Sequence, residues 1–367
     1  MKIKLILGIV ITWFLFTLVS CKKKGCTNPQ ASNFNAEAEK DNGTCNFDFT
    51  HQNLSYGADE IQSMELYLPI NHNENTKVVI MVHGGGWVVG YNTTTKVTTF
   101  DGRYGWDILN PLLEEGYACA IMKYRTACYK ENPLGATFNS TAALDFMMED
   151  IDLAIEKLKN ESSLLGISNN HFQLIGESAG GHIVMSYAIR SISDPALKSV
   201  VSMFGPTDLD DFEWKNNLRM IDSTYAQGIL IDGINYFRTA ENNCNLETNK
   251  QLGLLAELRS FGDNDTVRIS EANPYLQTIS TTTISNINKA TPMFIQHGNA
   301  DILVPSSQAN LMYSAVTSVY GNSNCQSAEF DCQYKKKIYD NCGHGWTGGG
   351  CQKNLIMNDV KKWIMAH

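Results

Sequence analysis

Residues Gly176-Glu177-Ser178-Ala179-Gly180 constrain the fold of this chain more than any other stretch. The apolar run Phe172-Gln173-Leu174-Ile175 before them reads as a buried strand, and His182 to Ile189 after them reads as a helix. A serine bounded by glycines between a strand and a helix predicts a turn so tight that only glycine fits beside it. Such a turn pushes the Ser178 hydroxyl out at the carboxyl end of the strand, where a base can reach it. Glycine and serine are common in loops, so the pentapeptide gains meaning only from what the rest of the chain supplies.

From residue 50 onward the sequence alternates strand and helix patterns, as a parallel sheet covered on both faces requires. Met64 to Pro69 alternates and ends in proline, which suits a strand near a sheet edge. Lys77 to His83 is almost wholly apolar, as a strand buried on both faces should be, and Ala118 to Tyr124 is similar. Ala142 to Leu158 carries apolar residues at helical spacing. Further strands are predicted over Ser199–Phe204, Pro292–His297 and Gln333–Tyr339, and helices over Ser306–Val319 and Lys353–Met365. Between Asp208 and about Thr291 no repeating unit is visible, and aromatic and polar residues are frequent. An irregular segment of that length predicts a cap of about residues 208–290 inserted into one domain. The fold class expected is α/β, with a mostly parallel central sheet and helices on both faces.

The 43% hydrophobic content of these 367 residues supports a sizeable core. A net charge of −9, with no basic run beyond the N-terminus, argues against nucleic acid as a partner. Lys2 and Lys4 precede the apolar stretch Leu5–Val19, which is short for a membrane span and reads as a signal peptide over residues 1–20. Leu18-Val19-Ser20-Cys21 resembles the lipobox of bacterial lipoproteins, which implies cleavage before Cys21 and acylation of its thiol. That would tether the mature chain to a bacterial membrane, at its periplasmic face or the cell surface; an ordinary secretory signal is the alternative, and either way the chain leaves the cytoplasm for a compartment where disulfides persist.

Nine cysteines remain beyond Cys21, and an odd number leaves one thiol free if the others pair. Cys119, inside an apolar strand, is the candidate for the free one. The pairs Cys26–Cys45, Cys325–Cys332 and Cys342–Cys351 are expected, with Cys128–Cys244 left over. The segment 21–48 has too few apolar residues for a core, and a disulfide closing such a loop contributes roughly 3 kcal/mol. It reads as a tether, and its Asn and Asp residues serve either turns or calcium. The domain proper is expected over residues 49–367.

A serine hydroxyl needs a base beside it, and the base needs an orienting group. Gln296-His297-Gly298-Asn299-Ala300-Asp301 follows a predicted strand and places Asp301 on a loop. Tyr339 to Gly345 follows the last strand and places His344 between two glycines. Asp340 is an alternative orienting acid. After the strand ending near His83 come Gly84-Gly85-Gly86-Trp87, where bare backbone N–H groups could approach an oxyanion. Gly85, Gly86 and Ala179 are the candidate donors, and His83 is expected to hold the loop. Glu177 is expected to make a buried hydrogen bond behind the turn. Trp87 and Trp346 line the acyl pocket or belong to the core. No zinc-ligand spacing appears.

With these residues in the order Ser178, Asp301, His344, the chain from about residue 55 to the end resembles the α/β-hydrolase superfamily. It is nearest the His-Gly-Gly-Gly esterases. Gly205-Pro206-Thr207-Asp208, Ala272-Asn273-Pro274 and His297 to Pro305 are similar to its bacterial feruloyl- and acetyl-esterase-like branch. The resemblance implies a cofactor-free serine hydrolase of carboxylic esters, acting on a small-molecule or glycan ester. It also implies Ser178 as nucleophile, His344 as base and Asp301 as its acid. Alternatives are an amide-directed hydrolase of formamidase or acyl-peptidase type, or a binding protein on an inactive scaffold. Residues 209–271 match no pattern of the family, so the resemblance is silent on the substrate.

Overall fold

The computed structural model describes residues 22–29, 31–87, 103–126, 140–190, 194–208, 211, 291–321 and 330–367. Most of the expected cap, the signal peptide, Cys21, Cys128, Cys244 and Cys325 lie outside the described residues. The chain divides into two compact units, Met1–Phe47 and Asp48–His367. In the first, strand β1 (Lys24–Gly25) pairs in parallel with β2 (Lys40–Asp41), and the Cys26–Cys45 disulfide closes the segment. Its polar side chains are engaged in turns. Asp41 Oδ1 accepts from the Gly43 N–H at 3.0 Å, and Asn42 Oδ1 from the Thr44 N–H at 3.1 Å.

The second unit is built on a sheet of β3 (Phe49–Ser55), β4 (Ser63–Pro69), β5 (Val78–Val82), β6 (Ala118–Met122), β7 (Phe172–Glu177), β8 (Leu197–Met203), β9 (Met293–Gly298) and β10 (Tyr334–Tyr339). Their spatial order is β10-β9-β8-β7-β5-β6-β4-β3. Neighbours from β10 to β6 run parallel, while β4 and β3 join antiparallel. The helices are α1 (Arg103–Leu113), α2 (Ser140–Asn160), α3 (Ser162–Leu165), α4 (Ala179–Arg190), α5 (Ser307–Tyr320) and α6 (Lys353–Ala366).

Alternation along each strand sorts the core into two layers. Val78, Ile80 and Val82 of β5 pack with Ile151 of α2, Ile183 of α4 and Met312 of α5. Val79 and Met81 point the other way, into a layer with Leu109 and Leu112 of α1 and Ile356, Val360 and Trp363 of α6. Burying each such side chain stabilises the fold by about 1.5–3 kcal/mol before the entropy of ordering is counted. Both faces of β5 are therefore covered, which is why its sequence shows no polar alternation.

The crossover matters for function. β5 lies between β6 and β7, so the chain leaves β5 toward one side of the sheet and later builds β7 on the other. At such a switch point the loops after the two strands diverge and leave a crevice at their carboxyl ends. The loop after β5 is His83–Trp87, and the turn after β7 carries Ser178.

Candidate active site

Ser178 sits in the left-handed backbone region at φ 51°, a conformation that costs a non-glycine residue about 1–2 kcal/mol. The surroundings impose it. The Ser178 N–H donates to the Met203 carbonyl at 2.9 Å, and the Ser178 carbonyl accepts from the His182 N–H at 3.0 Å. A Cβ at Gly176 would stand 2.2 Å from the Gly180 carbonyl oxygen, and one at Gly180 would stand 2.1 Å from that of Val82. Both glycines are required because backbone crosses backbone there.

His344, the candidate base, comes from the loop after β10. His344 Nδ1 lies 2.8 Å from Asp301 Oδ2, and its Nε2 lies 2.9 Å from Ser178 Oγ. A carboxylate only accepts, so Nδ1 carries the proton and Nε2 is free to accept from the Ser178 hydroxyl. Asp301 Oδ1 accepts from the N–H groups of Leu303 at 3.0 Å and Val304 at 2.9 Å, and His297 Nε2 stands 3.4 Å from Oδ2. Burial alone would raise the Asp301 pKa, but the neighbouring His344 and His297 outweigh it and hold the carboxyl well below the usual range. Asp301 is therefore held in its ionised form.

Asp340, the alternative acid, is exposed and accepts from Asn299 Nδ2 at 2.8 Å. Asn299 Oδ1 accepts from the Asn341 N–H at 2.8 Å, and the Asn299 and Ala300 N–H groups reach the carbonyls of Tyr339 and Cys342 at 3.0 Å. One asparagine thus straps the loop bearing Asp301 to the loop bearing His344. The Cys342–Cys351 disulfide closes the latter. Cys332 is also disulfide-bonded, while Cys119 is a buried free thiol whose pKa burial pushes up.

The loop after β5 carries the candidate backbone donors. Gly85, Gly86 and Trp87 have φ of 112°, 57° and 62°, three successive residues in a region that favours glycine. His83 is buried and held at a pKa of about 4 by that burial, so it remains neutral, with Nδ1 2.7 Å from the Gly84 carbonyl. The buried Tyr124 hydroxyl donates to the His83 carbonyl at 2.9 Å, and the two rings stack at 4.2 Å. Ala179 opens α4, so its N–H is one of the unpaired donors of a helix N-terminus.

Of the two readings open for Trp346 and Trp87, pocket lining or core, burial favours the core, and the expectation for Glu177 needs correction. Trp346 is fully buried (0% exposed) between Phe204 at 5.0 Å and Tyr339 at 5.6 Å, so it packs behind the loop bearing His344. Trp87 is buried too, its Nε1–H donating to His182 Nδ1 at 3.2 Å, so its ring is committed to the protein. Glu177 has no side-chain hydrogen bond among the described residues; burial alone pushes its carboxyl up to about 7. Asn299, His182 and Tyr124 escaped the sequence reading, as did Phe204, whose ring meets that of His344 edge-on at 4.8 Å. Only the position of His182 next to the elbow glycines gave a signal. Among the described residues no group of three or more His, Cys, Asp or Glu could hold a metal ion.

A parallel sheet with this strand order, Ser178 on the turn after β7, and an acid and a base after β9 and β10 is decisive. The chain has the α/β-hydrolase fold. Solved structures of that shape agree. An esterase from Pseudomonas putida superposes at TM-score 0.57 with 12% identity, covering 88% of this chain and 84% of that one. A carbohydrate esterase from gut microbiota, in truncated form, superposes at 0.52 with 15% identity, covering 86% and 96%. The BD-FAE family model matches residues 64–245 of this α/β-hydrolase. The isoprenylcysteine alpha-carbonyl methylesterase of Arabidopsis thaliana is 28% identical over 132 residues, 36% of this chain. That match spans about a quarter of the plant protein, 26% of its length.

Proposed function

We propose that this α/β-hydrolase cleaves carboxylic esters through an acyl-enzyme. The observation that carries the reading is the unbroken relay from Ser178 Oγ through His344 to Asp301, with contacts of 2.9 and 2.8 Å. His344 Nε2 takes the Ser178 proton as Oγ attacks the ester carbonyl. The carbonyl oxygen becomes an oxyanion facing the N–H groups of Gly85, Gly86 and Ala179. His344 returns the proton to the leaving alcohol as the C–O bond breaks. Water then attacks the acyl-enzyme, with its proton passing to His344 and on to Ser178 Oγ. Asp301 fixes the tautomer throughout and stabilises the transient imidazolium.

The substrate class proposed is an acylated glycan or a small ester, supported by the carbohydrate esterase and esterase neighbours and by the BD-FAE match. The placement proposed is outside the cytoplasm, tethered through acylated Cys21, which the Leu-Val-Ser-Cys sequence supports. A fluorophosphonate tests the chemistry, since it needs an activated serine. Intact-mass analysis should show one adduct on wild type, localised to Ser178, and none on Ser178→Ala. An unlabelled wild type would overturn the hydrolase reading.

A further inference from the structure

The oxyanion donors come from two separate segments, Gly85 and Gly86 after β5 and Ala179 at the start of α4, and their usefulness depends on the distance between them. Two ties fix that distance. Gly180, next to Ala179, packs directly on the carbonyls of Val82 and His83, where a Cβ would stand at 2.1 and 2.6 Å. On the far side of the donors, Trp87 Nε1 meets His182 Nδ1 at 3.2 Å, with the rings edge to face at 5.2 Å. Indole N–H donates only, so His182 Nδ1 must be the unprotonated, accepting nitrogen. Trp87 is also a non-glycine residue that continues the positive φ of Gly85 and Gly86. Something outside the loop has to hold it in that conformation.

We infer that His182 is a positioning residue of the oxyanion hole, acting through Trp87: its Nδ1 anchors the indole and so sets the loop donors against the Ala179 N–H. The inference rests on the ester-hydrolase reading and deepens it. It ties two motifs, His-Gly-Gly-Gly-Trp and Gly-Glu-Ser-Ala-Gly-Gly-His, that lie 95 positions apart at the bonded residues. The loop then owes its working shape to one side-chain bond as well as to its glycines.

The test uses the full chain and p-nitrophenyl acetate. His182→Leu removes the acceptor, Trp87→Phe removes the donor while keeping a ring, and His182→Asn keeps an oxygen near the Nδ1 position. Misplacing oxyanion donors costs turnover, not substrate binding. Each of the first two variants should lose kcat about tenfold or more, with KM within about twofold. The double variant should be no worse than the poorer single one, and His182→Asn should recover most of the loss. Binding of a trifluoromethyl ketone, whose hydrate-like adduct places an oxyanion in the hole, should weaken by the same factor as kcat/KM. Folded variants with wild-type kcat, a loss confined to KM, or multiplicative losses in the double variant would each overturn the inference. If His182→Leu fails to fold, Trp87→Phe and the ketone carry the test alone. A wild type without esterase activity would overturn the hydrolase reading and this inference with it, whereas an active wild type with indifferent variants overturns only the inference.

Discussion

The turn bearing Ser178 and the loop bearing His344 are held in place by different means. At the turn, backbone packs on backbone: Gly176 against Gly180, and Gly180 against Val82 and His83. The loop also packs backbone on backbone, at Gly298 against the Cys342 carbonyl, and adds side chains and a covalent bridge, namely Asn299 spanning to Asp340 and Asn341, and Cys342 to Cys351. The placement of Ser178 therefore depends on the absence of atoms, which no other residue type can imitate. The placement of His344 has, beside its backbone packing, polar groups that can be removed singly, so that part of its support should fail by degrees.

Gly180→Ala should break the first arrangement outright. Its Cβ would land 2.1 Å from the Val82 carbonyl oxygen, with backbone on both sides and nowhere to move. Activity should fall at least about a hundredfold, because a displacement near 1 Å at the reacting atoms has that effect. Retention of wild-type kcat with an unchanged melting temperature would contradict the packing argument. Asn299→Ala strikes the second arrangement more gently. Its side chain is exposed, so stability should change little, while kcat should drop about tenfold as Asp301 and His344 lose their common strap. An unchanged kcat would show that backbone bonds to Tyr339 and Cys342 suffice.

Replacing Cys342 and Cys351 together by serine should lower stability by about 2–3 kcal/mol, the contribution expected for closing a loop this short. Denaturant unfolding measures it, and activity in the folded fraction should fall less than in Asn299→Ala. A larger activity loss than for Asn299→Ala would make the disulfide the main support of the base.

Glu177 sharpens the contrast from the elbow side, since it is an ionisable group sealed behind a turn built of backbone. Its folded pKa of about 7 lies above the ordinary carboxylate value, so the native state binds the proton more tightly than the unfolded chain does. Wild-type stability should therefore fall as pH rises from about 4.5 to about 7 and stay lower above that. Glu177→Gln removes the ionisation, so the variant should match wild type near pH 4.5. At pH 8 it should exceed wild type by an amount on the order of 2–3 kcal/mol. Parallel stability profiles across that window would show that Glu177 is solvated or paired.

Much of the scaffold was legible because burial writes itself into composition. The strand at β5 is apolar throughout since both its faces are covered, and β7, β8 and β9 follow the same logic. The strand β3 went unread because, as the sheet edge, it is mostly exposed and its Phe-Thr-His-Gln-Asn-Leu-Ser lacks an apolar face. The helix α1 was missed too; it carries Pro111 and follows a stretch without clear periodicity. Ser178, Asp301 and His344 could be picked out because each follows a strand and lies within three residues of a glycine. Asn299, His182 and Tyr124 could not, since their partners are remote in sequence and nothing local announces a hydrogen bond across the fold. Trp346 stayed open between pocket and core for the same reason: adjacency to His344 in sequence said nothing about which side of the loop its ring would take.

Hydrolysis of p-nitrophenyl acetate by wild type, Ser178→Ala and Asp301→Asn, measured as kcat/KM from pH 5 to 9, tests the central claim most directly. Wild-type activity should rise with pH as His344 loses its proton and then level off. Ser178→Ala should be inactive, and Asp301→Asn, which stabilises the wrong tautomer, should lose roughly 10⁴-fold. Activity that persists in Ser178→Ala, or that is flat across this pH range in wild type, would contradict a Ser178–His344–Asp301 relay.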